Sequence, residues 1–567
     1  MAIATNMAST SVWNKNAIKV CVLFILLLIP SIYAVYNAID LEYSFIKKIV
    51  YLFVVIILLL IPALFLKART YFIVEGICNF LFFPIDIASL YLNRQSTSTA
   101  FLMNIIHTDI HESLELISSF LPLCIVIVSL WIVYFVIAVH IDNQHILPPS
   151  IRYTILGGGA LVFVVGLIFM ATIMRPVSHG TNMVETIHNS IGLMWKKMYK
   201  IYPYNLYIET AEILRLTHYQ HELEEQISTF SFGIKPQGSN LSSVYVLVIG
   251  EAARYDHFSI NGYYRNTSPR LTELNNLISY DSAFSQANLT SLSIPMILTR
   301  ANAPDLKKAY SEKSLSGAFR EAGFYTGFIN KQVPLPFTRR VMHECDYSYC
   351  YNKGMDVFNN YDEDMIARLA EIVNDSSIFM ILHSAGCHFR YELRYPSAYA
   401  VFQPTLGKSF SYSMITEENK DKLVNAYDNA ILYTDYFLSE LIRYLDSLDR
   451  PAVMMYMSDH GESFWDDERK LSLHGSYQIS EYEYHVPLLV WYSNEYKVSY
   501  PEKVNAMQQN KTTPISSDVV FYSMLDIAGI EDVVDSTRSI CSPFLQTCDS
   551  FPVITGSGTV ATFYLPK

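Results

Sequence analysis

Basic charge is what this 567-residue sequence has too little of. Its 41 lysines and arginines stand against 53 aspartates and glutamates, for a net charge of -12. No basic arm offsets that balance, which excludes a protein that grips nucleic acid through phosphates. Charge of either sign is sparse, at 17% of residues, while 51% are hydrophobic. At ~150 residues per domain, a chain this long is expected to hold two or more domains. No repeats or low-complexity tracts stand out. Cysteine is scarce as well, with eight in all. Cys21, Cys78 and Cys124 fall inside apolar runs and read as packing residues. Cys345/Cys350 and Cys541/Cys548 form two closely spaced pairs. Such pairs point to small disulfide loops, Cys345–Cys350 and Cys541–Cys548, in an oxidising compartment, with Cys387 left over.

What is abundant is long apolar sequence near the start. Five stretches, roughly 18–38, 49–66, 70–92, 119–141 and 153–174, each approach the ~20 residues a helix needs to cross a bilayer. The first lacks a small-residue cleavage site and is followed by four more, so it reads as an uncleaved helix. The third is interrupted by Glu75, Pro84 and Asp86, which leaves an interfacial or re-entrant helix as its alternative. With the N-terminus inside, Lys15, Lys19, Lys67, Arg69 and Arg152 lie on the cytoplasmic side. Lys47, Lys48 and Arg94 then lie outside, against the usual bias. An odd number of spans puts the large C-terminal part outside, in agreement with the cysteine pairs. The expected layout is a transmembrane domain over 1–175, bridging or interfacial helices over 176–235, and a catalytic domain over 236–567.

From about residue 240 the pattern becomes strand, loop, helix, repeated. Expected strands are Val244–Ile249, Tyr325–Ile329, Ile378–Leu382, Val453–Met457 and Val486–Trp491. The intervening segments "EDMIARLAEIVN" and "NKDKLVNAYDNAILYTDYFLSELIRYLDSL" read as helices. This alternation predicts an α/β domain whose mostly parallel sheet is covered by helices. Three strands end in groups suited to a metal. Glu251 follows the first, "IFMILHSAGCH" delivers His383 and His388, and "AVMMYMSDHGES" delivers Asp459, His460 and Glu462, with His474 further on. Functional groups of open α/β sheets gather at the carboxyl ends of strands, and carboxylate and imidazole are what zinc accepts. For His383 alone, a structural role is an equal alternative. A nucleophile is also needed. "FSQANLTSLSIPMILTRA" offers Thr290, Ser291 and Ser293 where a helix could begin, and a hydroxyl attacks well once a metal or base lowers its pKa.

Together, "GEAARYDHFSINGYYRNTSPRL", "SDHGES" and the five-span N-terminal half resemble the phosphoethanolamine transferases of Gram-negative inner membranes, within the alkaline phosphatase–sulfatase superfamily. The resemblance covers about 18–530. It implies a five-span bundle carrying a sulfatase-like periplasmic domain that uses zinc. It further implies transfer of phosphoethanolamine from phosphatidylethanolamine to lipid A or another part of lipopolysaccharide, by way of a covalent threonine intermediate. Carried over, the zinc ligands fall on Glu251, Asp459 and His460, and the nucleophile, which also binds zinc, on Thr290. His388 and His474 would assist at the phosphate, which leaves room for a second zinc. Asn104, Thr108 and Glu112, on one helix face, match substrate-binding positions. The basic phosphate-binding residue falls among Lys331, Arg339 and Arg340, with Lys331 taken first. The chain departs from the family at Ala252, at Ala287-Asn288 and at Cys387-His388-Phe389-Arg390. A membrane phosphoglycerol transferase or a related hydrolase is the nearest rival. A transporter is disfavoured because ionisable residues are nearly absent from the spans other than the third.

Overall fold

The computed structural model describes residues 2–37, 45–107, 114, 117–174, 202–236, 242–351, 361–374, 376–407 and 410–565. The chain divides into two compact units, residues 1–103 with 120–214, and residues 104–119 with 215–567. The expected bridging segment 176–235 is therefore split between them. Residues 176–201 of it lie outside the described residues, and the helix Tyr204–Thr229 crosses the boundary.

In the first unit all five apolar stretches are helical: α1 (Ala2–Asn37), α2 (Phe45–Ala63), α3 (Ala68–Asn93), α4 (Leu121–Val139) and α5 (Pro149–Met174). Among the described residues three segments are long and apolar enough to cross a membrane, Lys15–Asn37, Ala68–Tyr91 and Leu121–Val139, while Lys48–Ala63 is apolar but shorter. The third stretch is no re-entrant segment. One helix runs through Pro84, with Glu75 and Asp86 both buried. Asp86 accepts from the backbone N and Oγ1 of Thr97, so the carboxylate is met inside the protein rather than by lipid. Leu23, Leu27, Tyr71, Phe72, Tyr134 and Ala138 pack together. Gly76 lets α3 approach α4, since a Cβ there would stand 2.3 Å from the Tyr134 ring. The outward residues are apolar, Ile25, Ile29, Leu121, Ile125 and Ile132 among them. That inverts the pattern of a water-soluble helix and suits a lipid solvent. Three of the basic residues assigned to one side do meet at one end of this bundle. Lys19 donates to His140 O, Arg69 to Ile141 O and Arg152 to Leu64 O.

The second unit is built on a seven-stranded sheet. Its strands in chain order are β1 (Val244–Gly250), β2 (Leu277–Tyr280), β3 (Tyr325–Asn330), β4 (Tyr347–Cys350), β5 (Ile378–His383), β6 (Ala452–Ser458) and β7 (Leu488–Tyr492). Their spatial order is β2-β7-β6-β1-β5-β3-β4. All five expected strands are present. The sheet is mixed, however, because β7 is antiparallel to both its neighbours. The central strand β1 alternates between two cores: Tyr245, Leu247 and Ile249 enter one, and Val244, Val246 and Val248 the other. Both faces are thus covered, as its unbroken apolar run demands. The two expected helices form as Asp364–Ile372 (α7) and Lys420–Asp446 (α8), with Thr290–Leu298 (α6) preceding them.

The register decides where chemistry can gather. Ile249 pairs with His383, His383 with Asn330, and Gly250 with Ser458. Four strands therefore end on one line, and the next residues of each chain emerge side by side at a single edge.

The cysteine pairs are corrected, since all eight cysteines are thiols. Cys345 follows a helix and Cys350 ends β4. An extended strand rising ~3.3 Å per residue separates them beyond the ~7 Å between Cα atoms that a disulfide tolerates. Cys541 is buried in the core while Cys548 is exposed, so their sulfurs lie in different environments.

Candidate metal centre and nucleophile

Glu251 and Asp459 each follow a strand's last paired residue, and His460 follows Asp459. One ligand atom from each of the three lies within 4.8 Å of the others, and all three are buried. The turn that brings Glu251 in is backbone-tight. Ala252 has φ 53 and donates its N–H to Asp459 Oδ1 at 3.1 Å. Thr290, the first residue of α6, reaches the same point. Its Oγ1 lies 3.3 Å from Glu251 Oε2 and 3.2 Å from His460 Nε2. Of the three candidate hydroxyls, Ser293 is instead committed to scaffolding, donating to Asp459 O at 2.6 Å.

The donor set fits a zinc ion. Glu251 Oε1 and Asp459 Oδ2 are buried without a hydrogen bond and face His460 Nε2 at 3.4 and 3.6 Å. Leaving such oxygens unpaired is costly. His460 Nδ1 donates to Gly461 O at 2.8 Å, which fixes the ring and aims Nε2 at the carboxylates, as the outer partner of a ligand histidine does. The charges are strongly linked. Burial pushes Asp459 up, and the charge on Glu251 adds to it, to about 7. Burial pushes His460 down, but Asp459 and Glu251 outweigh it and raise the imidazole to about 10. Burial also raises Glu251, yet hydrogen bonding and charge from His460, with His388 and His474 behind it, hold that carboxyl well below its usual range.

His474 joins the rim. Its ring lies 4.1 Å from that of His460, and Nδ1 is 3.2 Å from Glu462 Oε1, an oxygen pair that Tyr391 also holds. His388 is near enough to lower Glu251 and lies beside Arg394, whose Nη2 is 3.3 Å from its Nδ1. Among the described residues the one group of three such donors is Glu251, Asp459 and His460. His383 ends β5 with both ring nitrogens buried and unbonded. Burial pushes it down to about 4, and it packs as a neutral core residue.

Lys331 directly follows β3, and its Nζ pairs with Asp364 Oδ2 at 3.0 Å and lies 3.7 Å from the Tyr351 ring centroid. The residue that does reach the centre is its neighbour Gln332, whose Nε2 donates to Glu251 Oε2 at 2.7 Å and to Ser384 O at 2.9 Å. A neutral amide carries no charge signal. Its only clue was position, directly past the end of β3. Asn104 lies in the helix Thr99–His107, while Thr108 and Glu112 fall outside the described residues.

Gly386 holds the wall behind Glu251. Its φ is +49, and a Cβ would stand 2.9 Å from Glu251 N and 3.0 Å from Glu251 O. Cys387 N also donates to Glu251 O at 2.9 Å. Gly386→Ala should destabilise the folded chain by ~1–2 kcal/mol from the left-handed backbone alone, and more from the overlap. Thermal unfolding of the detergent-solubilised protein checks this, and an unchanged melting temperature would contradict the close approach.

The sulfatase family profile matches residues 243–530. Phosphoethanolamine transferase EptA of Helicobacter pylori is 31% identical over 296 residues, 50% of this chain and 53% of that protein. The chain thus spans about half the length of this relative. Among solved structures, the integral membrane lipooligosaccharide phosphoethanolamine transferase A of Neisseria meningitidis gives a TM-score of 0.68 at 18% identity, covering 92% of this chain and 98% of that one. The C-terminal periplasmic domain of EptC from Escherichia coli, solved in complex with zinc, gives 0.52 at 24% identity, covering 59% and 95%. At these identities the likeness is one of fold.

Proposed function

Since this chain belongs to the sulfatase family and stands there among the phosphoethanolamine transferases, we propose that it moves phosphoethanolamine from phosphatidylethanolamine to a lipopolysaccharide acceptor through Thr290. The observation that carries this reading is the meeting of Thr290 Oγ1 with Glu251 and His460 at 3.3 and 3.2 Å. Zinc would be held by Glu251, Asp459, His460 and Thr290, and when bound it lowers the pKa of the hydroxyl and draws charge from the phosphoryl oxygens. A zinc complex of the E. coli EptC domain supports the choice of ion.

Thr290 Oγ1 passes its proton to Glu251 Oε2, to which it donates at 3.3 Å, and attacks the donor phosphorus; an Oγ1–P bond forms and the bond from phosphorus to the glycerol oxygen breaks. His474, partly exposed beside Glu462, gives a proton to that departing oxygen, so diacylglycerol leaves neutral. The positive end of α6, which begins at Thr290, would favour the negative charge of the transferred phosphoryl group. An acceptor hydroxyl, or a phosphate O–H, then attacks phosphorus and gives its proton to His474, while the Oγ1–P bond breaks and Thr290 takes its proton back from Glu251. Donor and acceptor are amphiphiles, so apolar helices keep the reaction at the bilayer and avoid lifting a lipid into water. The basic residues gathered at one bundle end would face the cytoplasm, with the catalytic unit in the periplasm of an inner-membrane protein.

The test is to incubate the purified protein with phosphatidylethanolamine and no acceptor, then sequence it by mass spectrometry. Thr290 is expected to gain phosphoethanolamine. An adduct of phosphoglycerol from the corresponding lipid would instead establish the rival donor, and no adduct with either would remove the covalent route.

A further inference from the structure

Beyond residue 530, where the sulfatase match ends, the chain adds one more antiparallel hairpin, Ser550–Ile554 (β8) with Val560–Tyr564 (β9). Phe551, Val553 and Phe563 form its buried face against Phe284 and Tyr484. The Phe284 ring centroid stands 5.7 Å from Phe551 and 5.0 Å from Phe563. From this apolar seat the hairpin reaches both loops of the reaction. Ile554 N donates to Gln286 O at 2.7 Å, and Ile554 bridges Ala287 in the approach to Thr290. At the turn, Gly556 N donates to Ser476 O at 2.9 Å, just past His474.

The loop that receives the turn is one that needs holding. His474 stands between Leu473 at φ 65 and Gly475 at φ 79. A leucine in that region is unfavourable and persists only where its surroundings impose it. Those surroundings are visible. Ser476 O accepts from Asn288 Nδ2 at 2.8 Å as well as from Gly556, and Ser476 N donates to the buried Glu483 at 3.1 Å. The fit at the turn has no slack, because a Cβ on Gly556 would stand 1.8 Å from Gly475 O and 3.0 Å from Gly475 Cα.

We infer that the C-terminal hairpin is a clamp that holds His474 in place relative to Thr290, with Gly556 as its positioning residue. The inference rests on the role given to His474 above. Glu251, Asp459 and His460 directly follow β1 and β6, and their hydrogen bonds to Ala252, Gln332 and Gly461 do not involve the hairpin. Loosening the clamp should therefore disturb the proton donor while leaving the zinc site intact, and a misplacement near 1 Å can cost ~100-fold in rate.

Gly556→Ala in the full-length protein is the test. The expected result is at least a tenfold fall in kcat with phosphatidylethanolamine at unchanged zinc content, with the melting temperature lowered by the backbone overlap at Gly475. With a phosphodiester donor whose leaving group is nitrophenolate, which departs without a proton, the rate should change less than twofold. Val560→Ala, on the exposed side of the same hairpin, should alter neither rate. Phe563→Ala loosens the seat without adding an atom, and should show the same donor-selective slowing even if the alanine at 556 hinders folding. Equal slowing of both donors, no slowing of either, or loss of zinc in both variants overturns the clamp. An unmodified protein that fails with the lipid donor would point instead to failure of the transferase reading itself.

Discussion

With Thr290→Ala, transfer should fall by about 10⁴-fold or more, the loss seen when a covalent nucleophile is removed. Melting temperature should hold nearly constant, and zinc should stay bound through the three remaining ligands, Glu251, Asp459 and His460. All three follow strand ends; Asp459 accepts from Ala252 N and His460 N, His460 donates to Gly461 O, and Glu251 accepts from Gln332 Nε2, none of which involves the threonine hydroxyl. Helix α6 also keeps its start, because its cap uses no side-chain bond from Thr290. Product release from a phosphatidylethanolamine donor, followed by mass spectrometry, reads the first quantity and metal analysis the second. Near-normal turnover would mean that the acceptor attacks the donor directly. Loss of metal together with activity would leave the hydroxyl a ligand and nothing more.

Chelation should have an effect of similar size. Removing zinc is expected to take turnover to background, and adding zinc back to restore it. Zinc uptake should also depend steeply on pH. His460 rises to about 10 and Asp459 to about 7 without metal, whereas both must be deprotonated to bind. At neutral pH, uptake therefore expels the His460 proton and part of a second from Asp459. Between pH 7 and 10 affinity should climb roughly tenfold per unit, and more steeply below 7. Calorimetry in buffers of different ionisation enthalpy counts the protons. Uptake without proton release, or activity that survives complete metal removal, would rule out this ligand set.

Much of the catalytic unit was legible because its central strands are apolar on both faces, so they stand out as unbroken runs with functional residues at their ends. The edge strands were not. Leu277–Tyr280 and Tyr347–Cys350 are short and partly exposed, and their serines and tyrosines carry no sustained pattern. Strand direction was equally hidden. Leu488–Tyr492 reads like the parallel strands of the sheet, and nothing in its own residues shows that the connection over 459–487 returns it antiparallel. At the site, ionisable residues announced themselves and Gln332 did not. Lys331 was favoured for its charge, yet Asp364 and the Tyr351 ring already satisfy that charge. The third apolar stretch looked broken at Glu75 and Asp86, because a sequence does not say which side of a helix meets protein and which meets lipid.

The partners of the centre come from far apart along the chain: the Ala252–Asp459 contact alone spans 207 residues. A nascent polypeptide that has delivered Glu251 still owns no place for a cation. Only after β6 docks beside β1 does the trio exist, so a chain placed as proposed above would cross the bilayer empty and collect its zinc where folding finishes. Supply of the ion on that side of the bilayer, rather than at the ribosome, would then govern how much of the protein becomes active.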